Sequence, residues 1–145
     1  MTQARTVLSL ARLVALRDVE VDRLTADVAQ KEALRQRYHH NLDRMAQLCA
    51  DSAATGSLPP SLSLNCGNYK QAVFDMMAAH QRDLALHEAD MAVTQRALQA
   101  ASLKRETLDR VREQHSAVLQ VEQDRREQKR QDELATQAWY RQRAS

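Results

Sequence analysis

SAATGSLPPSLSLNCG, running from Ser52 to Gly67, holds every glycine and proline of the 145-residue chain: Gly56, Pro59, Pro60 and Gly67. Gly and Pro cost roughly 1 and 3 kcal/mol in a helix interior, and most folds scatter them through turns along the whole chain. Here one window carries them all. The flanking stretches are rich in Ala, Leu, Gln, Arg, Glu and Met, the residue types that lose least rotamer freedom in a helix. The expected architecture is therefore all-α: a helix over about 3–50, a connector over about 51–67 and a longer helix over about 68–142, in a single coiled-coil domain. At about 1.5 Å per residue the arms would measure roughly 70 Å and 110 Å.

Composition agrees. The only aromatic residues are Tyr38, Tyr69, Phe74, Trp139 and Tyr140, too few to fill a rounded core, and 28% of residues are charged. The apolar surface should be a seam. On the first arm a 3/4 alternation runs through Val7, Leu10, Val14, Arg17, Val21, Leu24, Val28, Lys31, Arg35, Tyr38, Leu42, Met45 and Cys49. All but the three cationic positions are apolar or aromatic, the mark of sustained heptads. On the second arm the best register is Val73, Met77, His80, Leu84, His87, Met91, Thr94, Leu98 and Ala101, followed by a shift of phase to Leu108, Val111, His115 and Val118.

Asn68 reads as the cap of the second helix, with Gln71 three residues on completing a capping box. A connector of this length readily turns the chain back, so the arms should lie antiparallel. With Ala50 opposite Asn68, the numbers of facing residues add to about 118. Lys31 then lies near His87 and Arg35 near Asp83, so the charged seam positions of the first arm meet the most polar stretch of the second. Polar seam residues of this type set register at some cost in stability. The same rule exhausts the first helix near Gln114 to Ser116. Roughly 25 residues of the second would overhang, close to 40 Å.

That overhang is unlike the rest. After Val121 its only large apolar residues are Leu134, Trp139 and Tyr140, and Glu122 to Glu133 is dense in charges of both signs able to pair along the helix, Glu122 with Arg126 and Lys129 with Glu133. Such pairs give a lone helix only a few tenths of a kcal/mol each, so the tail needs a partner to hold it. Trp139 and Tyr140 are either a disordered end or a binding anchor. Near the connector, Tyr38, Leu42, Tyr69, Phe74 and Met77 are core or an exposed strip for a partner.

Other functions are disfavoured. The net charge is +2 and acidic residues interrupt nearly every basic run, against a nucleic-acid binder. No metal-spaced cluster, phosphate loop or nucleophile arrangement can be assembled, and two helices side by side form no enclosed pocket, so neither an enzyme nor a cofactor is expected. His80 and His87, about 10 Å apart along one stripe, are too distant to share a metal ion. His39 and His40 diverge around the axis as a surface pair. No apolar run reaches ~18 residues and no secretory signal is evident, so the expected location is cytoplasmic, without a transmembrane segment, with Cys49 and Cys66 as thiols.

Two segments carry a family resemblance. Arg126-Glu127-Gln128-Lys129-Arg130-Gln131-Asp132-Glu133-Leu134-Ala135 resembles the C-terminal E-Q-K-x-x-D-E-x-A pattern of the flagellar export protein FliJ family, and Asn68-Tyr69-Lys70-Gln71 resembles that family's N-Y-x-x start of the long helix. Helix order, length and the late tyrosine of the first arm, Tyr38, are similar too. The resemblance implies an antiparallel two-helix coiled-coil hairpin whose longer second helix overhangs, a non-enzymatic part of a type III export apparatus. It implies three partners: a FliI-like hexameric export ATPase, an FlhA-like export-gate protein and export chaperones. It also implies a position peripheral to the inner membrane. Carried over by motif, Gln128, Lys129, Asp132 and Glu133 are the ATPase-side candidates, and Tyr38, Leu42, Tyr69, Met76 and Ala79 the gate-side candidates. Where the family often has an aromatic residue three positions after the N-Y tyrosine this chain has Ala72, with Phe74 two residues later. The equivalent stalk of a virulence secretion system, and a self-associating coiled-coil scaffold, are the alternative readings.

Overall fold

A computed structural model describes residues 2–51 and 59–144; Gly56 and its neighbours in the connector fall outside them. Two helices account for nearly all of it, α1 (Thr2–Asp51) and α2 (Pro60–Arg143), and no strand occurs among the described residues. The chain is the expected all-α, two-helix hairpin. It divides into two compact units, Asp22–Gln99 and Met1–Val21 with Ala100–Ser145.

α1 begins and ends within a residue of expectation, but α2 starts eight residues earlier than the capping-box reading places it. Pro60 opens the helix, where its missing N–H costs nothing and its fixed φ already suits the first turn. The amide of Ser63 donates to the Pro59 carbonyl at 3.0 Å and closes that turn. Asn68 is consequently interior to the helix. Gln71 donates its side-chain amide to Asp75 Oδ1 at 3.1 Å and takes no part in a cap. Gly67 is interior as well, and nothing lies within 4 Å of where its Cβ would stand.

In the unit Asp22–Gln99 the helices run antiparallel around a seam that includes Leu24, Val73, Leu84, Met91 and Thr94, all buried. Lys31 lies against His87, whose Nε2 is 2.8 Å from the Lys31 carbonyl oxygen, and Tyr38 packs on His80 with ring centroids 4.7 Å apart. Both pairs obey the sum of about 118. The long cations depart from it. Arg35 meets Glu88 at 3.1 Å rather than Asp83, and Lys31 Nζ reaches Asp90 at 2.8 Å and donates to Thr94 Oγ1 at 2.8 Å. Side chains on a helix lean toward its N-terminus, and in an antiparallel pair this carries a cation on α1 toward higher numbers on α2.

The unit formed by Met1–Val21 and Ala100–Ser145 repeats the pattern. His115 Nδ1 is 3.1 Å from Gln3 Oε1, again on the expected sum, while Arg105 leans to Asp18 at 2.6 Å. Val14 and Ala101 are its buried residues. Of the positions expected after Ala101, Leu108, Val111 and His115 are half-buried and Val118 is exposed. A 3/4 spacing also continues without a shift from Ala101 through half-buried Arg105, Leu108, Arg112, His115, Leu119 and Glu122. The seam passes through two arginines. Their aliphatic stems can cover apolar surface while their heads pair at the edge, Arg105 with Asp18 and Arg112 with Asp109 at 2.7 Å. All thirteen seam positions named for α1 are buried or half-buried.

Candidate functional site

The polar seam holds three groups whose ionisation is shifted by their neighbours, Lys31, Arg35 and Asp90. A hydrogen bond to Asp90 holds the Lys31 ammonium above its usual range, and the nearby Asp27 and Asp90 charges add to this against a desolvation cost. The same hydrogen bond and the Lys31 charge hold Asp90 below the usual carboxylate range. Thr94, buried between them, accepts from Lys31 and donates to the Asp90 carbonyl at 3.3 Å. This knot satisfies its own groups, which is the behaviour of a register lock rather than a reaction centre.

The five gate-side candidates occupy two settings in the unit Asp22–Gln99. Tyr38 and Leu42 are half-buried on the seam side of α1. The Tyr38 ring lies between His80 and His87, 5.7 Å from the latter. Tyr69, Met76 and Ala79 are exposed on α2. Their spacing places these three on one outward stripe with Ala72, and the same 3/4 spacing continues to Leu86 and Val93, which are 72% and 62% exposed. The two settings adjoin at a shallow groove lined by Leu34, Arg37, Tyr38, Asn41 and His80. Met76 is one turn before His80 and Ala79 is its neighbour. His80 Nε2 is buried there with no hydrogen-bond partner among the described residues. Sequence reasoning placed His80 in the seam but missed its unpaired nitrogen, because only the tertiary arrangement decides which ring edge is buried without a partner.

The ATPase-side candidates lie on the stretch of α2 beyond its last half-buried residue, Glu122. Gln128, Lys129, Asp132 and Glu133 are all exposed. Steps of 100° per residue put them on one side of the helix. Hydrogen bonds within one turn of this stretch include Gln131 to Glu127 at 3.4 Å and the Thr136 hydroxyl to the Asp132 carbonyl at 2.8 Å, with Gln120 to Asp124 at 2.9 Å at its start. Trp139 and Tyr140 lie in the last turns of α2. A groove lined by Ala117, Val118, Val121, Glu122 and Arg125 marks where this stretch begins.

Among the described residues no helix is long and apolar enough to cross a membrane. No curated protein and no solved structure gives a significant match. The family model described as the flagellar FliJ protein matches residues 6–144, nearly the whole chain, with both motif segments and both helices inside the match, so the chain belongs to the FliJ family of flagellar type III export proteins.

Proposed function

We propose that this protein is the coiled-coil stalk that links the export ATPase to the export gate and helps escort export chaperones and their cargo. The observation that carries this reading is the asymmetry of the unit containing α1's first turns. The interhelical contact between Gln3 and His115 lies near the start of α1, yet α2 runs on to Arg143, with every described residue from 123 onward exposed. That leaves about 30 Å of α2 exposed along its length, and the family motif falls inside it. In the proposal Gln128, Lys129, Asp132 and Glu133 contact the ATPase. Tyr38, Leu42, Tyr69, Met76 and Ala79 contact the gate protein, the last three through the outward stripe of α2. The protein acts in the cytoplasm, at the inner face of the membrane.

Stimulation of a purified hexameric export ATPase tests the reading. Addition of the full chain is expected to promote hexamer assembly and raise turnover, and no change in either would sink it. A virulence-system stalk shares the geometry, but the flagellar family match favours the flagellar assignment.

A further inference from the structure

Trp139 and Tyr140 meet edge to face with centroids 5.1 Å apart, and the Arg143 guanidinium carbon stands 4.3 Å over the Trp139 ring. Both aromatics are exposed, at 49% and 64%. Large aromatics in water on an otherwise polar helix are the residue types that dominate binding energy when an interface forms. Their mutual contact and the cation over the indole hold them in place beforehand, which lowers the ordering cost of docking.

Helical arithmetic then ties this cluster to the motif. Gln128, Asp132, Thr136, Trp139 and Arg143 follow one another at intervals of four, four, three and four, and Lys129, Glu133 and Tyr140 flank them. Leu134 and Ala138 lie on the opposite side, with the Glu127–Gln131 hydrogen bond. The tail therefore has one face that changes character along its length. It is mixed in charge through Glu133, and beyond that residue its only side-chain charge is the cation of Arg143, since Arg141 falls on the side of Leu134.

We propose that Trp139, Tyr140 and Arg143 extend the ATPase-binding face of α2 and seat in an apolar socket on the ATPase whose rim carries carboxylates. The aromatic rings supply the buried area, and Arg143 supplies the charge that the rim complements. This rests on the reading that the tail engages the ATPase, and it adds the anchor and the chemistry of its receptor.

Trp139 is the chain's single tryptophan, so it reports on itself. The full chain labelled with 5-fluorotryptophan is mixed with unlabelled, purified hexameric export ATPase and followed by fluorine NMR, with binding measured separately by fluorescence anisotropy. The expected result is a broadened, shifted resonance that loses its sensitivity to deuterated solvent. Trp139→Ala and Arg143→Glu should each weaken binding roughly tenfold or more, whereas Leu134→Ala on the opposite face should change it by less than about twofold. Binding with Trp139 still fully open to solvent would overturn the anchor while leaving the stalk reading intact. Equal losses from Leu134→Ala and Trp139→Ala would overturn the face. No binding at all would overturn both readings. Protection of Trp139 by a second copy of the chain, or by anionic phospholipid vesicles, but not by the ATPase would also defeat the assignment.

Discussion

The stretch of α2 facing Lys31 and Arg35 and the stretch beyond Glu122 draw on similar residue types, yet they use their polar groups in opposite ways. In the first, charges bridge the helices: Lys31 to Asp90, and Arg35 to Glu88, which also lies 3.7 Å from His39. In the second, hydrogen bonds and ring contacts run along the helix, as between Gln131 and Glu127 or Arg143 and Trp139. A charge used across the seam fixes which residue faces which. Local contacts of the second type support the helix weakly and leave its whole surface available. The contrast separates the part of the molecule that specifies its own fold from the part whose surface stays exposed.

Removing the open stretch should break the comparison most completely. Truncation after Val121 is expected to abolish ATPase stimulation while the remaining helices melt within a few degrees of the full chain, because the deleted residues beyond Glu122 are all exposed. Circular dichroism on heating checks this, and a global loss of helix would show that the tail also supports the fold. Next in size, Leu24→Asp places a charge at a position only 8% exposed, and a loss of about 3 kcal/mol in urea denaturation is expected. Leu134→Asp in the open stretch should cost little by the same measurement.

Gly67→Ala sharpens where the paired part of α2 starts. With Gly67 inside the helix and open space around its Cβ position, Ala should stabilise the protein by about 0.5–1 kcal/mol. A neutral or destabilising result would return Gly67 to the connector. The smallest effect concerns acid. Because Asp90 is held below its ordinary 3.8 in the folded protein, its contribution is present above that pH and is lost as pH falls through the lowered value. The difference in melting temperature between the native chain and Asp90→Asn should therefore shrink as pH drops below 3.8. A constant difference down to pH about 2 would show that the Lys31–Asp90 contact does not shift the carboxylate.

Much of this was legible beforehand. The two helices followed from one cluster of breakers, and the seam of α1 from its heptads, because both depend on local preference and spacing. The residues carried over as ATPase-side candidates were expected on the overhang, and they are exposed on the stretch of α2 beyond Glu122. Less legible was the seam beyond Ala101. Arg105 and Arg112 look polar in a one-letter pattern, and the reading stepped past them; its Val111 is half-buried but its Val118 is exposed, where counting strictly by three and four would have reached Leu119. The gate-side candidates also divided between seam and surface, as sequence spacing within each helix cannot say how two helices are rotated against each other.

Taken alone, the residues determine that the chain is helical on both sides of one break, that each arm has an apolar stripe, and that one arm is longer. These follow from backbone entropy, rotamer freedom and the 3.6-residue repeat, which act within a few residues of each position. Tertiary structure decided the rest: that Arg35 meets Glu88, and that His80 keeps a buried, unpaired nitrogen beside Tyr38. Each of those depends on how far a side chain reaches toward another helix and on what covers it there, and no local preference encodes either quantity.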